Sequence, residues 1–105
     1  MRDSVKGGAL TEVSFYILLS VFTPRHGYAI MQFIQEKTDG RLILGAGTLY
    51  GALNALQKKG WITPFAMESE RKREFIITDE GRRVARKEFE RLESLLYLAG
   101  EILGG

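Results

Sequence analysis

The segment Gly47-Thr48-Leu49-Tyr50-Gly51-Ala52-Leu53-Asn54-Ala55-Leu56 has the apolar spacing of an amphipathic helix. Leu49, Leu53 and Leu56 fall on one side of that helix, which directs a face of short polar side chains elsewhere. Such a face fits the major groove of DNA, where amide and hydroxyl groups can hydrogen-bond to base edges. A solvated outer face on an ordinary helix is the alternative interpretation. The face consists of Thr48, Gly51, Asn54, Gln57 and Lys58.

Two helices are predicted before this segment. Thr11 can cap the first helix, whose apolar residues cover most of its circumference, and Pro24 marks its end. The second helix is predicted over 28–38, and the third runs from about 48 to 59 and stops at Gly60. Two close helices followed by a third with a polar face predict a helix-turn-helix.

A β-hairpin is predicted next, from the aromatic and β-branched runs at 61–65 and 74–78. Pro64 suits an edge strand, because proline cannot donate a backbone hydrogen bond. The connecting segment lacks an Asn-Gly or Asp-Gly pair, so we expect a loose turn through Glu68-Ser69-Glu70. A hairpin that directly follows a helix-turn-helix predicts a wing.

The last segment, 79–105, is predicted to be one long helix that begins at Thr78. Its apolar stripe is longer than a domain of this size can cover, so we expect the helix to dock against a second copy of the chain. Packing of the stripe within its own chain is the alternative. The stripe comprises Ala85, Phe89, Leu92, Leu96, Ala99 and Leu103, and it is widened by Leu95, Leu98 and Ile102.

Together these elements predict a mainly α fold with a small β-hairpin, in a single structural unit of 105 residues. Residues 1–78 form the winged helix-turn-helix and residues 79–105 the C-terminal dimerisation helix. The first region carries ten Lys or Arg against seven Asp or Glu, and the second carries five against six. This small basic excess beside the third helix is a weak indication of an anionic partner.

The absence of cysteine excludes disulfides, thiolate nucleophiles and cysteine-ligated zinc, and it is typical of the reducing cytoplasm, where we expect this protein. No membrane partner is expected, since the apolar run 13–22 is about half the roughly 20 residues of a spanning helix. The lone histidine, His26, lies in a Pro-Arg-His-Gly turn, where a solvated side chain is expected. Phosphate loops, paired metal ligands and nucleophile elbows are missing, so no enzyme activity, metal or cofactor is predicted.

Four short motifs stand in a characteristic order along the chain. They are Pro24-Arg25-His26-Gly27-Tyr28-Ala29-Ile30, then Gly47-Thr48-Leu49-Tyr50 with Leu53, Leu56 and Gly60-Trp61-Ile62, then Arg71-Lys72-Arg73-Glu74-Phe75, and finally Thr78-Asp79-Glu80-Gly81. Over roughly residues 9–85 this order resembles the PadR family of transcriptional regulators. The resemblance implies a winged-helix dimer that binds operator DNA, usually as a repressor, with the last helix forming most of the dimer contact.

Matched position by position, the resemblance implies phosphate contacts from Gly27 and Tyr28 at the start of the second helix. It implies backbone or base contacts from Thr48 and Tyr50 at the start of the recognition helix, although Tyr50 also fits the edge of the core. The wing matches positions that grip phosphate or reach the minor groove. The remaining members of the expected DNA-binding set are Gly51, Asn54, Lys58, Arg71, Lys72 and Arg73.

The sequence departs from the family pattern in two places. Gly51, Asn54 and Ala55 stand where family members often have bulkier or basic residues, which leaves the reading face bare. In the wing, three basic residues stand among three acidic ones, so long-range attraction to DNA cancels unless the two signs are separated locally. The wing charges are Arg71, Lys72 and Arg73 against Glu68, Glu70 and Glu74.

We expect a homodimer that reads a near-palindromic operator in double-stranded DNA, with its two recognition helices about one DNA turn apart. The alternative is a winged-helix module that binds another protein and does not touch DNA. Salt dependence of DNA binding separates the two hypotheses, because neutralised phosphates release counterions. Whether a small-molecule effector exists is left open, since the candidate aromatic residues are spaced as core residues usually are. These residues are Phe15, Tyr16, Phe89 and Tyr97.

Overall fold

Four α-helices and a three-stranded antiparallel sheet form the fold of residues 8–67 and 73–104, which are the residues that the computed structural model describes. This is the winged helix-turn-helix with a long C-terminal helix that the sequence predicts. In chain order the elements are α1 (Glu12–Ser20), β1 (Arg25–His26), α2 (Gly27–Lys37), α3 (Ala46–Lys58), β2 (Ile62–Met67), β3 (Arg73–Ile77) and α4 (Asp79–Ala99), which a π-helical turn at Gly100–Gly104 continues.

Threonine side chains begin the first and last helices, as predicted. The Thr11 hydroxyl accepts a hydrogen bond from the Ser14 N–H at 3.1 Å, and the Thr78 hydroxyl accepts one from the Gly81 N–H at 3.0 Å. The Thr78 hydroxyl also donates to the Gly60 carbonyl oxygen at 2.6 Å. This second bond ties the start of α4 to the turn that ends α3.

The core lies between the first three helices and the inner face of the sheet. Leu49, Leu53 and Leu56 of α3 are almost completely buried, which confirms their predicted role as scaffold. Their burial fixes the rotation of α3 about its axis and therefore decides which residues of α3 face outward. The core residues contributed by the other elements are Ile17, Leu18, Val21, Ile30, Ile34, Ile62, Phe75 and Ile77.

The predicted hairpin is present, but the sheet has a third strand. β3 is central and pairs with β2 on one edge and with the two-residue β1 on the other. Pro64 lies on the edge strand β2 opposite Phe75, and the register shifts between Pro64 and Met67. The turn predicted through Glu68-Ser69-Glu70 lies outside the described residues. The sequence does not predict β1, because two residues are too few to show a strand period.

The first two turns of α4 pack against the rest of the chain. A Cβ atom at Gly81 would lie 2.7 Å from Cγ1 of Ile77 and would overlap the Trp61 carbonyl group, so α4 comes this close only because residue 81 is glycine. Ala85 is buried in the same packing. Its assignment to the dimer stripe is therefore wrong, because it has no surface left for a partner.

Beyond Leu92, α4 extends away from the rest of the protomer, and the described part of the chain measures 53 × 28 × 28 Å. The apolar side chains of its second half are exposed, among them Leu96 with 74% of its surface accessible. The continuous helix predicted to residue 105 changes to π-helical hydrogen bonding at Gly100. No helix within residues 8–67 and 73–104 has the length and hydrophobicity that crossing a lipid bilayer requires.

Candidate nucleic-acid interface

The outward face of α3 carries the side chains that the sequence assigns to DNA contact. Thr48, Gly51, Asn54 and Lys58 are exposed, and Gln57 is half-buried at the edge of the same face. The opposite side of α3 holds the three buried leucines. Because this face is fixed by the core, its polar groups are held on one surface without help from a ligand.

The end of α3 and the base of the wing share that surface. Asn54 and Arg73 line two adjoining depressions, one closed by Tyr50 and Phe75 and the other by Gln57 and Lys58. The Arg73 guanidinium lies over the Phe75 ring, with Cζ 5.8 Å from the ring centroid. The structure therefore brings Tyr50, Asn54, Lys58 and Arg73 together. Arg71 and Lys72 lie outside the described residues.

Opposite charges at the start of β3 point to opposite sides of the sheet. Successive strand residues alternate between faces, so Arg73 shares the face of Phe75, and Glu74 points the other way. Glu74 pairs in register with His26 on β1. The sheet therefore separates these two opposite charges: Arg73 lies on the side of α3, and Glu74 lies on the other side. Binding of the wing to DNA requires such a separation, because its sequence mixes basic and acidic residues.

Tyr50 contacts the packed interior on one side and belongs to the exposed polar surface of α3 on the other. Its ring rests on Gly27 at the start of α2, where a Cβ atom would lie 2.8 Å from the Tyr50 Cζ atom. About half of its surface, 48%, stays accessible. Gly27 itself is buried, so its predicted phosphate contact is wrong: its role is to let α2 and α3 approach each other. The neighbouring Tyr28 is exposed at 61%.

His26 has a role in the fold that the sequence does not predict. Its Nδ1 atom accepts a hydrogen bond from the Ala29 N–H at 3.3 Å, which caps α2, and its backbone belongs to β1. A solvated loop histidine was expected instead. Its place directly before the glycine that opens a helix is the signal for a cap.

A groove between α1 and α4 adjoins the exposed part of α4. Its lining is mostly apolar and includes the carboxylate of Glu88, which has 4% of its surface exposed. Arg91 donates to Glu88 at 2.7 Å, and this bond lowers the pKa of the Glu88 carboxyl against the opposing effect of burial. Phe15, Tyr16 and Phe89 line this region, whereas Tyr97 is exposed and is not among the lining residues.

These elements define a class of protein: a winged helix-turn-helix whose third helix has an exposed polar face, with a basic residue at the base of the wing and a long C-terminal helix. The profile of the transcriptional regulator PadR-like family matches residues 17–87, and the chain belongs to that family. The family consists of transcriptional regulators, which act through DNA, rather than of enzymes. The matched region ends at residue 87, within α4.

Solved structures of similar sequence share the fold. A transcriptional regulator from Clostridium thermocellum superposes with a TM-score of 0.75 at 29% identity, over 87% of this chain and 89% of that one. A PadR family transcriptional regulator from Eggerthella lenta superposes with a TM-score of 0.71 at 25% identity, over 87% and 80% of the two chains.

One curated relative is a 37.1 kDa protein of Streptomyces fradiae, described as uncharacterized and carried in transposon TN4556. It is 38% identical over 79 residues, which is 75% of this chain. The chain spans only 21% of the length of that protein.

Proposed function

We propose that this protein is a sequence-specific repressor that binds a near-palindromic operator in double-stranded DNA as a homodimer. The observation that carries the proposal is the continuous polar surface formed by α3 and the base of the wing. Asn54 and Lys58 on α3 lie beside Arg73 on β3, around two adjoining depressions. A helix that enters the major groove and a strand that tracks the adjacent backbone need this juxtaposition.

Each part of this surface has its own chemistry toward DNA. An asparagine amide can donate a hydrogen bond to N7 of adenine and accept one from its N6 amino group. Asn54 is therefore the base-reading residue in this proposal. Thr48, Tyr28 and Tyr50 supply hydroxyl groups for phosphate contacts, which position the helix. Arg73 supplies a cation to the backbone, together with Arg71 and Lys72 from the sequence prediction.

The proposed dimer forms through the exposed stripe of α4. Phe89, Leu96 and Leu103 are exposed in the single chain, and Leu92 and Ala99 are half-buried. An apolar surface of this extent on an isolated protomer favours association with a second copy. In this proposal residues 1–78 contact DNA and residues 79–105 hold the two copies together, so that two α3 helices meet successive major grooves.

The test is fluorescence anisotropy with two duplexes of equal length, one from upstream of the protein's own gene and one scrambled. Each is titrated at about 50 mM and about 200 mM salt, where phosphate-driven binding differs strongly. Tighter, salt-sensitive binding to the first duplex supports the proposal. Absence of binding to either duplex at low salt overturns it in favour of a protein-interaction module, whose contacts are not tied to counterion release.

A further inference from the structure

We propose that Gly51 determines how closely α3 approaches DNA, and that its missing side chain lets Asn54 reach the edge of an adenine. This inference rests on the proposed function and adds to it the residue that sets the depth of the recognition helix. It also names the base that α3 reads.

The fold of the chain does not require glycine at position 51. Gly51 is in the middle of α3, and it is not one of the glycines with a positive φ, which are Gly8, Gly40 and Gly60. A Cβ atom there would meet no atom within 4 Å. Glycine in a helix interior is less stable than alanine, so the position carries a cost with no benefit inside the protomer.

At two other positions the fold does require glycine, because an added side chain would clash with a neighbouring element. A Cβ atom at Gly27 would lie 2.8 Å from Cζ of Tyr50, and one at Gly81 would lie 2.7 Å from Cγ1 of Ile77. Both positions are buried where elements touch. Gly51 is exposed and faces open space, so no contact within the described part of the protomer accounts for its small size.

Gly51 lies directly below the base-reading side chain. Residues three apart are neighbours on a helix surface, and each Cα–Cβ bond tilts toward the helix N-terminus. The Asn54 side chain therefore leans over the turn that contains Gly51. Within residues 8–67 and 73–104 the Asn54 amide has no hydrogen-bond partner, and it is exposed.

A short side chain limits the distance at which this amide can act. Asparagine has two side-chain torsions and reaches a base edge only when the helix backbone is close to the floor of the groove. A methyl group at position 51 would touch the bases before the Asn54 amide did. Bidentate pairing of the amide with N6 and N7 then selects adenine at that position of the half-site.

The test starts with duplexes selected from a randomised pool by the wild-type protein. Anisotropy on the enriched duplex and on a scrambled one then compares wild type, G51A, N54A and the double variant. We expect G51A to raise Tm by about 4 °C, through helix propensity, while it weakens binding to the enriched duplex about tenfold. Binding to the scrambled duplex should stay within about twofold, since phosphate contacts do not depend on the base read.

The double variant tests whether Gly51 acts through Asn54. If it does, G51A has little further effect once Asn54 is replaced, and the double variant binds about as tightly as N54A. Losses that multiply contradict the inference. A substitution of adenine in the enriched half-site should likewise weaken wild type but not N54A.

Gln35→Ala is the control, because Gln35 is an exposed helical residue on the second half of α2 and belongs to neither the DNA-binding set nor the dimer stripe. We expect it to leave affinity for the enriched duplex within about twofold of wild type. A loss equal to that of G51A overturns the inference, as does a G51A protein that binds like wild type. If the wild-type protein enriches no duplex, the proposed function itself fails.

Discussion

Glu88 is a buried carboxylate that keeps its charge at neutral pH. Its partner Arg91 is two-thirds buried and donates two hydrogen bonds, from Nε at 2.9 Å and from an NH2 group at 2.7 Å. The bond to Arg91 lowers the pKa of the Glu88 carboxyl, and a backbone hydrogen bond from Leu10 contributes in the same direction. The acid therefore links the segment before α1 to the middle of α4.

Because of this link, the free energy of unfolding depends on pH. Because the pKa of Glu88 is lower in the folded chain than in the unfolded one, its contribution is complete above the ordinary glutamate value of about 4.3 and is lost as the pH falls below it. We expect Glu88→Gln to lower stability at neutral pH by about 1.5 kcal/mol, the value of a charge-assisted hydrogen bond.

Thermal unfolding between about pH 3 and about pH 7 measures both effects. The wild-type Tm should fall toward the acid end more steeply than that of the variant, so the two curves converge. Glu93→Gln, on an exposed position of the same helix, is the control and should follow the wild-type curve. Parallel curves for wild type and Glu88→Gln would show that the carboxylate contributes no charge-dependent stability.

Arg73 should contribute one phosphate contact. On the proposed interface, Arg73→Ala is expected to weaken binding to every duplex and to reduce the slope of log affinity against log salt by about one. Anisotropy titrations at several salt concentrations give that slope. Arg83→Ala is the matched control, because Arg83 is an exposed arginine on α4 whose partner is Glu80. A slope that Arg73→Ala leaves unchanged would remove this residue from the phosphate contacts.

For single residues, the sequence predicted solvent exposure better than it predicted side-chain contacts. The 3.6-residue period places Asn54 and Lys58 outward and the leucines inward, and the structure agrees. The same period assigned Glu88 no role. Its spacing to Arg91 permits an ion pair, but the sequence does not show that packing against α1 buries the carboxylate. Gly27 was misassigned for a similar reason, since its neighbour Tyr50 comes from another helix.

Among the elements, the contact between α4 and the hairpin depends on one glycine. We expect Gly81→Ala to destabilise the fold by about 2 kcal/mol, as overpacking a close contact does, because the added methyl group meets Ile77 and the Trp61 carbonyl. Chemical denaturation measures the loss. Gly104→Ala meets open space at the end of the chain and should leave stability within about 0.5 kcal/mol of wild type.

An unchanged midpoint for Gly81→Ala would mean that α4 shifts to accept the methyl group. That shift would be visible as altered fluorescence of Trp61, which lies in the same contact. The prediction is therefore specific to the close approach and not to glycine as such.

Elements that follow from local residue type and hydrophobic spacing were predictable. A strand that exists only because it pairs with a distant strand was not. The caps Thr11 and Thr78 and the hairpin strands follow from residue type and period. β1 exists because Arg25 and His26 pass beside β3, which is a tertiary event. The π-helical turn at Gly100–Gly104 keeps the apolar spacing of an α-helix closely enough that the sequence pattern does not reveal the change in hydrogen bonding.

For the whole molecule, the exposed stripe of α4 is the surface of the proposed dimer. Leu96 makes little contact with its own protomer, since 74% of its surface is accessible. We expect Leu96→Glu to weaken the proposed dimer on the order of 100-fold, because the interface would bury an unpaired charge, while the protomer stays folded. Sedimentation equilibrium gives the mass, and the circular dichroism spectrum checks the fold.

Ser94→Glu is the control for this variant. Ser94 is exposed on the same helix but outside the stripe, so the same charge there should leave the dimer intact. A dimer that survives Leu96→Glu would place the interface elsewhere on the molecule. The length of the stripe was predictable from sequence, whereas the loss of Ala85 to the core was not, because it depends on how deeply α4 docks.

The two residues of β1 have a further consequence for the proposed dimer. They brace β3 on its second edge, so the wing is fastened to the start of α2 as well as to β2. In the proposed complex, each protomer would bring α2, α3 and the described strands of the wing to the duplex as one unit, and α4 would set the distance between the two units. An operator lengthened by about five base pairs turns its second half-site to the far side of the duplex. In the proposed dimer, the pairing of β1 with β3 would therefore make the spacing between half-sites part of what the protein recognises.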